Sequence, residues 1–475
     1  MPASTRSRLP FVLLLCLTFA ATVASGSRLQ AQTRAELEKV LRRKVLPNGL
    51  EVIVVENHGV PIATLEIDVR NGAFTQTPEY AGLAHMYEHM FFKANKTLPG
   101  PDAFTDRAAE LGATFNGSTR EENVNYFLTL PADSLEGGLR FLAGALREPL
   151  FLEEELKREK VVVLGEYDRN EGQPTFTFSQ RTTELLYPGQ FSRKNTIGDR
   201  KVIAAVTPAQ MRVIQQKYYV PNNSVLIVTG DVNPERVFAL AEKFYGDWQR
   251  GPDPFKADPI PPIPPLPGNK ALIVEDNINA IFVQLQWQGP SVGKDPAATY
   301  AADVFSDVLN SPVSTFQKNL VDTGLWQGIG VNYYTLNQVG PITVGGQTTP
   351  EKLRPALAAL ERELARFADP TYITPRELEI AKQKRLVEGA FGIEKASGIA
   401  STIGFWWSVA NLEYFMGYND LMAQQRITDL MRYTSTYIAG KPRLTSVLLS
   451  PDVRKGLGLT EAELLSPAKA PAVRP

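Results

Sequence analysis

The stretch LEVIVVENHGVPIATLEIDV, residues 50–69, decides how the first half of the chain folds. It holds a β-branched run from Val52 to Val55, a turn at Asn57 to Gly59 and an alternating pattern from Ile62 to Val69. A second turn signal, Asn48-Gly49, lies just before it. Asn-Gly turns beside β-branched runs are typical of hairpins, so we predict an antiparallel hairpin here.

Helical spacing alternates with strand patterns along the next 180 residues or so. A short helix-like stretch, Arg34 to Arg43, precedes the hairpin, and apolar positions follow a helical period from Tyr80 to Phe92. Further helices are predicted at 134–149 and from Glu153 to Arg169. ATFNGSTREENVNYFLTLP, residues 113–131, is typical of a strand, a turn and a second strand. The mixture predicts an α+β fold.

A proline-rich segment divides the chain into two parts whose sequence patterns resemble each other. GPDPFKADPIPPIPPLPGNK, residues 251–270, cannot continue a helix or a sheet interior and predicts a semi-rigid linker. KALIVEDNINAIFVQLQWQG then repeats the opening pattern, and Tyr300 falls on Tyr80 at an offset of 300 − 80 = 220 residues. We therefore predict two homologous domains, 35–250 and 271–455, each with a mostly antiparallel sheet packed by helices, and a tail at 456–475.

The composition and the first residues limit which classes of protein are possible. A formal net charge of −1 over 475 residues gives no electrostatic reason to expect nucleic acid. Two arginines, a short apolar run at 9–24 and small residues after it predict a signal peptide at 1–31, not a stable membrane span. Its cleavage could follow Ala24, Gly26 or Ala31. The only cysteine, Cys16, would leave with it, which favours a periplasmic or secreted protein without thiolate chemistry.

AGLAHMYEHMFFKA, residues 81–94, holds two of the three histidines in the chain. His85 and His89 are four residues apart and share one helix face with Glu88. Two imidazoles at this spacing suit tetrahedral Zn²⁺ with a position open to water, whose proton Glu88 could take. The alternative is a pair of ordinary helix histidines, but the chance of H-x-x-E-H in a chain this poor in histidine is on the order of one in a thousand.

A catalytic zinc needs a third protein ligand, which we expect to be a carboxylate. His58 lies in a separate turn and is predicted to be an ordinary turn residue. Glu159 and Glu166 are seven residues apart on one helix face, and the apolar run VVVL at 161–164 predicts that this segment is buried. Zinc would offset the cost of a carboxylate in such a place. The residues alone do not rank Glu159 against Glu166.

The motifs HMYEH, EKVVVLGE, FNGSTREENVNYFLTLP, NTIGDRKVIAAVT and YYVPNNSVLIVTGDV resemble the pitrilysin and insulinase family of inverted-motif zinc peptidases. Two-domain members of that family include the mitochondrial processing peptidase. The resemblance implies that Glu166 is the third ligand and Glu159 an outer-sphere carboxylate. It also implies that Asn116 and Gly117 lie on a substrate-binding edge, although Asn-Gly alone could be a plain hairpin turn.

The same resemblance implies a fold and an activity. Two similar halves would close like a clamshell around a peptide, and the protein would be an exported zinc endopeptidase that cleaves short or unfolded peptides. Glu88 would be the catalytic base. A second class of function is a non-catalytic, zinc-binding scaffold that captures peptides or assists assembly. Glu88 argues against that class, because a scaffold has no need of a base.

One segment departs from the family pattern. Many relatives carry an arginine and a tyrosine seven residues apart in the second half, which bind substrate and stabilise the oxyanion. The corresponding segment here, Asn319 to Gly330, contains neither, and Tyr333 and Tyr334 just after it are predicted to be strand residues. We therefore expect a heterodimer in which this chain carries the zinc and a partner supplies the pair. A self-sufficient homodimer with other donors, or a different alignment of this segment, is the alternative.

Overall fold

The computed structural model describes residues 33–100, 102–392 and 395–465. The predicted signal peptide and residues 466–475 of the predicted tail lie outside the described residues. Within those ranges, no helix combines the length and the apolar character that crossing a membrane requires.

The described residues form eleven strands and a larger number of helices. The strands are β1 Leu41–Val45, β2 Glu51–Glu56, β3 Ile62–Val69, β4 Thr114–Thr119, β5 Val124–Pro131, β6 Ser224–Gly230, β7 Lys270–Glu275, β8 Ile281–Gln288, β9 Gly328–Tyr333, β10 Pro341–Thr348 and β11 Leu444–Leu449. The helices of the first half and the linker are α1 Arg34–Val40, α2 Leu83–Phe91, α3 Ala103–Glu110, α4 Leu135–Arg147, α5 Glu153–Glu171, α6 Pro174–Leu186, α7 Arg200–Ala205, α8 Pro208–Tyr218, α9 Pro234–Tyr245 and α10 Pro254–Ala257. Those of the second half are α11 Pro296–Asn310, α12 Thr315–Gln317, α13 Leu353–Arg366, α14 Pro375–Gly392, α15 Ala396–Val409, α16 Leu412–Ala423, α17 Ile427–Tyr437, α18 Pro451–Leu457 and α19 Glu461–Leu465.

The first sheet has the strand order β1-β2-β6-β3-β5-β4. The turn at Asn48-Gly49 does join a hairpin, between β1 and β2. The helix predicted over Arg34 to Arg43 ends earlier, at Val40, because β1 begins there. The turn at Asn57 to Gly59 does not join a hairpin: β6 lies between β2 and β3, parallel to the first and antiparallel to the second. That part of the prediction is wrong. A turn signal shows where the chain reverses, but it does not show which strand pairs with the strands on either side of the turn.

The second sheet repeats the first without its outermost strand. Its order is β7-β11-β8-β10-β9, so β7 pairs in parallel with β11 as β2 does with β6, and β8 lies between β11 and β10 as β3 lies between β6 and β5. The strands β4 and β9 are the corresponding edges. Helices pack on the core side of each sheet, where Leu65 and Leu285 are fully buried. The predicted α+β fold with two homologous, mostly antiparallel halves is confirmed.

One helix of each half packs on the sheet of the other half. The helix α15 packs on β3 and β6 of the first sheet, where Ile403 joins Ile227 in one apolar cluster. The helix α6 packs on β7, β8 and β11 of the second sheet, where Phe178 joins Leu272. Because both faces of the first sheet are covered, β3 is buried along nearly its whole length. The core of the first sheet therefore includes residues from beyond the linker.

The second half also extends past residue 455, where the predicted tail was placed. The short helix α19 packs on β7 and β11, and its Leu464 is buried in the second core. Residues 461–465 therefore belong to the packed structure, because an apolar side chain there fills the end of that core.

Candidate metal centre

The helix α2 carries the H-x-x-E-H pattern inside the first core. It begins after Gly82, whose φ of 89° favours glycine and where a Cβ would come within 2.5 Å of the Ile197 carbonyl oxygen. Seven of its nine residues are buried, and the two that are only partly buried are His85 and His89. Core packing therefore fixes the helix while the two imidazoles remain accessible to a ligand.

The helix α5 brings Glu166 to these imidazoles. Glu166 Oε2 lies 3.7 Å from Nε2 of His85 and 3.7 Å from Nε2 of His89. The three donor atoms all lie within 4.8 Å of one another, the one group of this kind found among the described residues. Ligand atoms on a tetrahedral zinc are separated by about 3.3 Å, so small side-chain movements would suffice to bind the ion. Two imidazoles and one carboxylate also leave a fourth position open.

Glu159 lies behind His89 and orients it. Nδ1 of His89 lies 3.1 Å from Glu159 Oε2, and Lys93 Nζ lies 2.6 Å from Glu159 Oε1. Burial raises the pKa of Glu159, but the hydrogen bonds from His89 and Lys93 outweigh it, so that pKa lies below its ordinary value. A carboxylate at this place accepts the Nδ1 proton, which directs the Nε2 lone pair of His89 towards Glu166 and the metal position.

The two imidazoles differ in their proton affinity. Burial, and next the neighbouring His89, lower the pKa of His85 to about 4, so its imidazole is neutral and able to bind a metal at neutral pH. Burial also lowers the pKa of His89, but the hydrogen bond with Glu159 and the charge of Glu166 outweigh it, so that pKa is raised. A metal ion at this site therefore competes with a proton mainly at His89.

Glu88 lies beside the cluster, under the edge of the first sheet. Its carboxylate is largely buried, and Oε2 accepts a hydrogen bond of 2.6 Å from the Thr119 hydroxyl. Burial raises the pKa of Glu88, while the hydrogen bond from Thr119 lowers it less, so the net shift is upward. A carboxylate with a raised pKa suits proton transfer near neutral pH.

Asn116 and Gly117 lie inside β4, the outer strand of the first sheet, and not in the turn at residues 120–123. A Cβ at Gly117 would come within 3.0 Å of Glu88 Cγ, so this strand lies directly on the side chain of Glu88. The Gly117 amide donates to Asn116 Oδ1 at 2.9 Å. The edge amide is thus covered by a side chain that an incoming strand could replace.

The segment at 161–164 is not buried as a whole, so that prediction is wrong. Val161 is 71% exposed and Val162 46% exposed, and Val163 is the fully buried valine of the run. The helix α5 packs against α2 and α7 along one face, so an all-apolar run still leaves residues in solvent. Glu159 is nevertheless buried, because it lies on the packed face.

The predictions for three other residues can be compared with the structure: His58 does lie in a turn and Tyr333 in β9, as predicted, whereas Tyr334 lies just past the end of β9 and is not a strand residue. His58 is exposed and pairs with Asp231 at 2.7 Å, away from the cluster. Tyr333 is buried, and its hydroxyl donates to the Pro290 carbonyl oxygen at 3.0 Å. Tyr334 follows β9, and its hydroxyl donates to Glu121 Oε2 at 2.8 Å. Both tyrosine hydroxyls are therefore engaged inside the protein.

Sequence reasoning did not find Thr119 and Lys93. Lys93 lies just past the end of α2, where helical spacing from His89 no longer applies, and its partner Glu159 lies on another helix. Thr119 is two residues after Gly117 and so shares its face of the strand. The strand spacing of Thr119 is visible in the sequence, but both contacts depend on which elements pack against each other.

Comparison with known families finds two matching models. Residues 51–196 match the model described as Insulinase (Peptidase family M16), and residues 205–385 match the Peptidase M16 inactive domain.

Curated relatives agree with the family models. The zinc protease PqqE of Helicobacter pylori is 25% identical over 453 residues, covering 92% of this chain and 98% of that protein. The beta subunit of the mitochondrial-processing peptidase of Dictyostelium discoideum is 22% identical, covering 76% of this chain and 78% of the subunit.

Solved structures show the same fold. A protease from Helicobacter pylori superimposes with a TM-score of 0.76 at 23% identity, covering 86% of this chain and 99% of that one. The periplasmic protease PqqL from Escherichia coli gives a TM-score of 0.76 at 17% identity, covering 92% of this chain and 51% of that one.

Proposed function

The chain belongs to the insulinase family of zinc peptidases, and we propose on that premise that it is an active zinc-dependent endopeptidase. The observation that carries the proposal is the convergence of His85, His89 and Glu166 beside a buried Glu88. The set of donors fits zinc, with two imidazoles, one carboxylate and an open fourth position.

The residues would divide the chemistry between holding the metal and moving a proton. His85, His89 and Glu166 would hold the zinc, which when bound would supply a Lewis acid for a water and the scissile carbonyl. Glu88 would accept a proton from the attacking water and donate it to the leaving amine. Glu159, supported by Lys93, keeps His89 in the tautomer and orientation that ligation needs.

The substrate we propose is a short or unfolded peptide that adds as a strand to the free edge of β4. Edge strands present unpaired amides and carbonyls to such a peptide. Asn116 and Gly117 support this placement, since Gly117 brings the edge close to Glu88 and its amide donates to the Asn116 side chain.

A partner subunit is part of the proposal. Oxyanion donors commonly contribute a factor of about 10²–10³ in rate. The segment from Asn319 to Gly330 offers neither arginine nor tyrosine, and the hydroxyls of Tyr333 and Tyr334 are engaged elsewhere. We propose a heterodimer in which the partner supplies an arginine and a tyrosine. A homodimer with other donors is the alternative.

Export is also proposed, on the leader-like residues 1–31. Mass spectrometry of the protein isolated from the periplasm or the medium tests it. An N-terminus at Ser25, Ser27 or Gln32 is the expected result, and an uncleaved chain would contradict it.

Cleavage of a mixed pool of unstructured peptides tests the activity. The mature chain is assayed alone and with the product of the neighbouring gene, beside Glu88→Gln and the control Glu154→Gln, an exposed carboxylate on α5. We expect cleavage that Glu88→Gln lowers by about 10²–10⁴-fold and Glu154→Gln leaves unchanged. Cleavage by the pair alone supports the partner, whereas zinc binding without any cleavage would contradict the enzyme and favour a scaffold.

A further inference from the structure

One face of β4 lies over α2 and contacts the Glu88 side chain. Side chains alternate along a strand, so Phe115, Gly117 and Thr119 share this face. Phe115 packs on Phe92 with ring centroids 5.3 Å apart, and Gly117 lies against the Glu88 methylenes. Thr119 completes the row with its hydroxyl on Glu88 Oε2 at 2.6 Å. The base is thus in contact with the same strand that offers the free edge.

The Thr119 hydroxyl is the hydrogen-bond donor that the described residues supply to the Glu88 carboxylate. A buried carboxylate without a donor would be free to rotate between several positions in the space above the cluster. With Oε2 held by Thr119, the second oxygen remains available for a proton. The hydrogen bond therefore selects which oxygen can react.

The position of Thr119 is itself fixed by the turn after it. The Arg120 and Glu121 carbonyl oxygens accept from the Ala73 and Phe74 amides at 3.1 and 2.8 Å. Glu122 is buried and accepts from the Asn337 amide of the second half at 2.6 Å. A β-branched side chain at the end of so constrained a strand has few rotamers available.

We propose that Thr119 is a positioning residue for the reaction. Its hydroxyl holds Oε2 of Glu88 so that the other carboxylate oxygen faces the water that is to lose its proton. The role rests on the proposed function, because it concerns the orientation of the catalytic base. It acts on the chemical step and not on peptide binding or on the metal ligands.

Three variants test the role. Thr119→Val replaces the hydroxyl by a methyl group of similar size, and Thr119→Ser retains the hydroxyl. Thr64→Val is the matched control: it removes another buried hydroxyl of the same sheet, one that bonds Thr129 at 2.9 Å. For each protein we measure kcat, KM, bound zinc and the unfolding midpoint. The assays use the form that cleaves peptides, either the chain alone or the chain with its partner.

We expect Thr119→Val to lower kcat by about 10- to 100-fold, the range typical of a supporting hydrogen bond in a metal site, with KM unchanged and zinc retained. Thr119→Ser should recover most of the loss, and Thr64→Val should leave kcat unchanged. Added to Glu88→Gln, Thr119→Val should cause no further loss, because the oriented group is already absent.

Several results would overturn the role. An unchanged kcat in Thr119→Val, a loss accompanied by loss of zinc, or a serine variant as slow as the valine variant each contradict it. If Thr119→Val does not fold, Thr119→Ala carries the same expectation. A parent protein that cleaves nothing, alone or with a partner, contradicts the proposed function itself and this role with it, and is distinguished by the missing parent activity.

Discussion

The helices α2 and α11 occupy the same place in the two halves and both pack in a core, yet of the two only α2 carries the candidate zinc site. At the offset of 220 residues, Phe305, Val308 and Leu309 replace His85, Glu88 and His89. The three apolar side chains are at most 1% exposed. The same scaffold can therefore bury either packed hydrocarbon or a metal-binding face, and only the first stabilises the fold without a ligand.

A second difference between the halves lies on β3 and β8. Glu66 and Asp68 are buried on β3 under α15, and the same offset places the neutral Gln286 and Gln288 on β8. Burial raises the pKa of Glu66 to about 7, against the hydrogen bond from Asn125, and raises the pKa of Asp68 well above its ordinary value. The first half thus has buried acids both at the candidate metal centre and on the opposite face of its sheet. The glutamines of the second half are neutral at every pH, so their burial does not depend on protonation.

The largest effect expected from this comparison concerns the metal. Glu166→Gln should abolish stoichiometric zinc binding, because the cluster then keeps only two strong donors and the second half offers no substitute among its described residues. Glu159→Gln should weaken zinc binding by about 10- to 100-fold, since it only orients His89. Competition with a chelator of known affinity measures both. Equal losses in the two variants would contradict the assignment of ligand and supporting residue.

The two helices should also differ in what they contribute to stability. Leu309→Ala should lower the free energy of unfolding by about 2–5 kcal/mol, because it leaves a cavity in the second core. His89→Ala in the zinc-free protein should cost less than about 1 kcal/mol, because a partly exposed imidazole contributes little packing. Urea unfolding of the zinc-free proteins makes the comparison. A His89→Ala loss as large as that of Leu309→Ala would show that the site helix is equally important to the fold.

The buried acids predict a pH dependence of stability that belongs to the first half. Folded Glu66 has a pKa of about 7, against an ordinary value of 4.5, so only the unfolded chain loses this proton between those values. The resulting loss of folding stability is absent below pH 4.5, grows as the pH rises and is complete above about pH 7. Glu66→Gln should therefore raise the free energy of unfolding by about 3 kcal/mol at pH 8 and change it little at pH 4.5.

Urea unfolding at the two pH values measures this effect, with Gln286→Glu as the converse change in the second half. That variant should lower stability at pH 8 more than at pH 4.5. A stabilisation by Glu66→Gln that is equal at both pH values would contradict the assignment of a raised pKa.

The smallest expected effect concerns the glycines of the two edge strands. A Cβ at Gly117 meets Glu88 Cγ at 3.0 Å and the Asn125 carbonyl oxygen at 3.1 Å, whereas a Cβ at Gly328 in β9 meets nothing within 4 Å. Gly117→Ala should therefore lower kcat by a few-fold, about 1 kcal/mol at most, through displacement of the base. Gly328→Ala should leave it unchanged. Peptide assays of both variants provide the test, and an equal change in kcat would contradict a direct contact between β4 and Glu88.

Local patterns predicted much of the molecule. The helical period around His85 and His89, the Asn-Gly turn between β1 and β2, and the seven-residue spacing of Glu159 and Glu166 each depend on neighbours close in sequence. Such relations are visible in the chain because helix and strand geometry alone produce them.

Long-range packing could not be predicted in the same way. Nothing near residues 50–69 reveals that β6 lies between β2 and β3, or that α15 covers the first sheet from beyond the linker. The exposure of Val161 and the hydrogen bond from Thr119 to Glu88 have the same origin, since each depends on which elements meet. Residues that support the site are therefore harder to find than the residues that form it.

Diffraction from crystals of the zinc-loaded chain, recorded on both sides of the zinc absorption edge, would locate the metal and its ligands. We predict one anomalous peak per chain, within bonding distance of His85 Nε2, His89 Nε2 and Glu166, and no peak at α11 in the second half. A peak at His58, a zinc ligated by Glu159 in place of Glu166, or no zinc at all would contradict the assignment of His85, His89 and Glu166 as the zinc ligands.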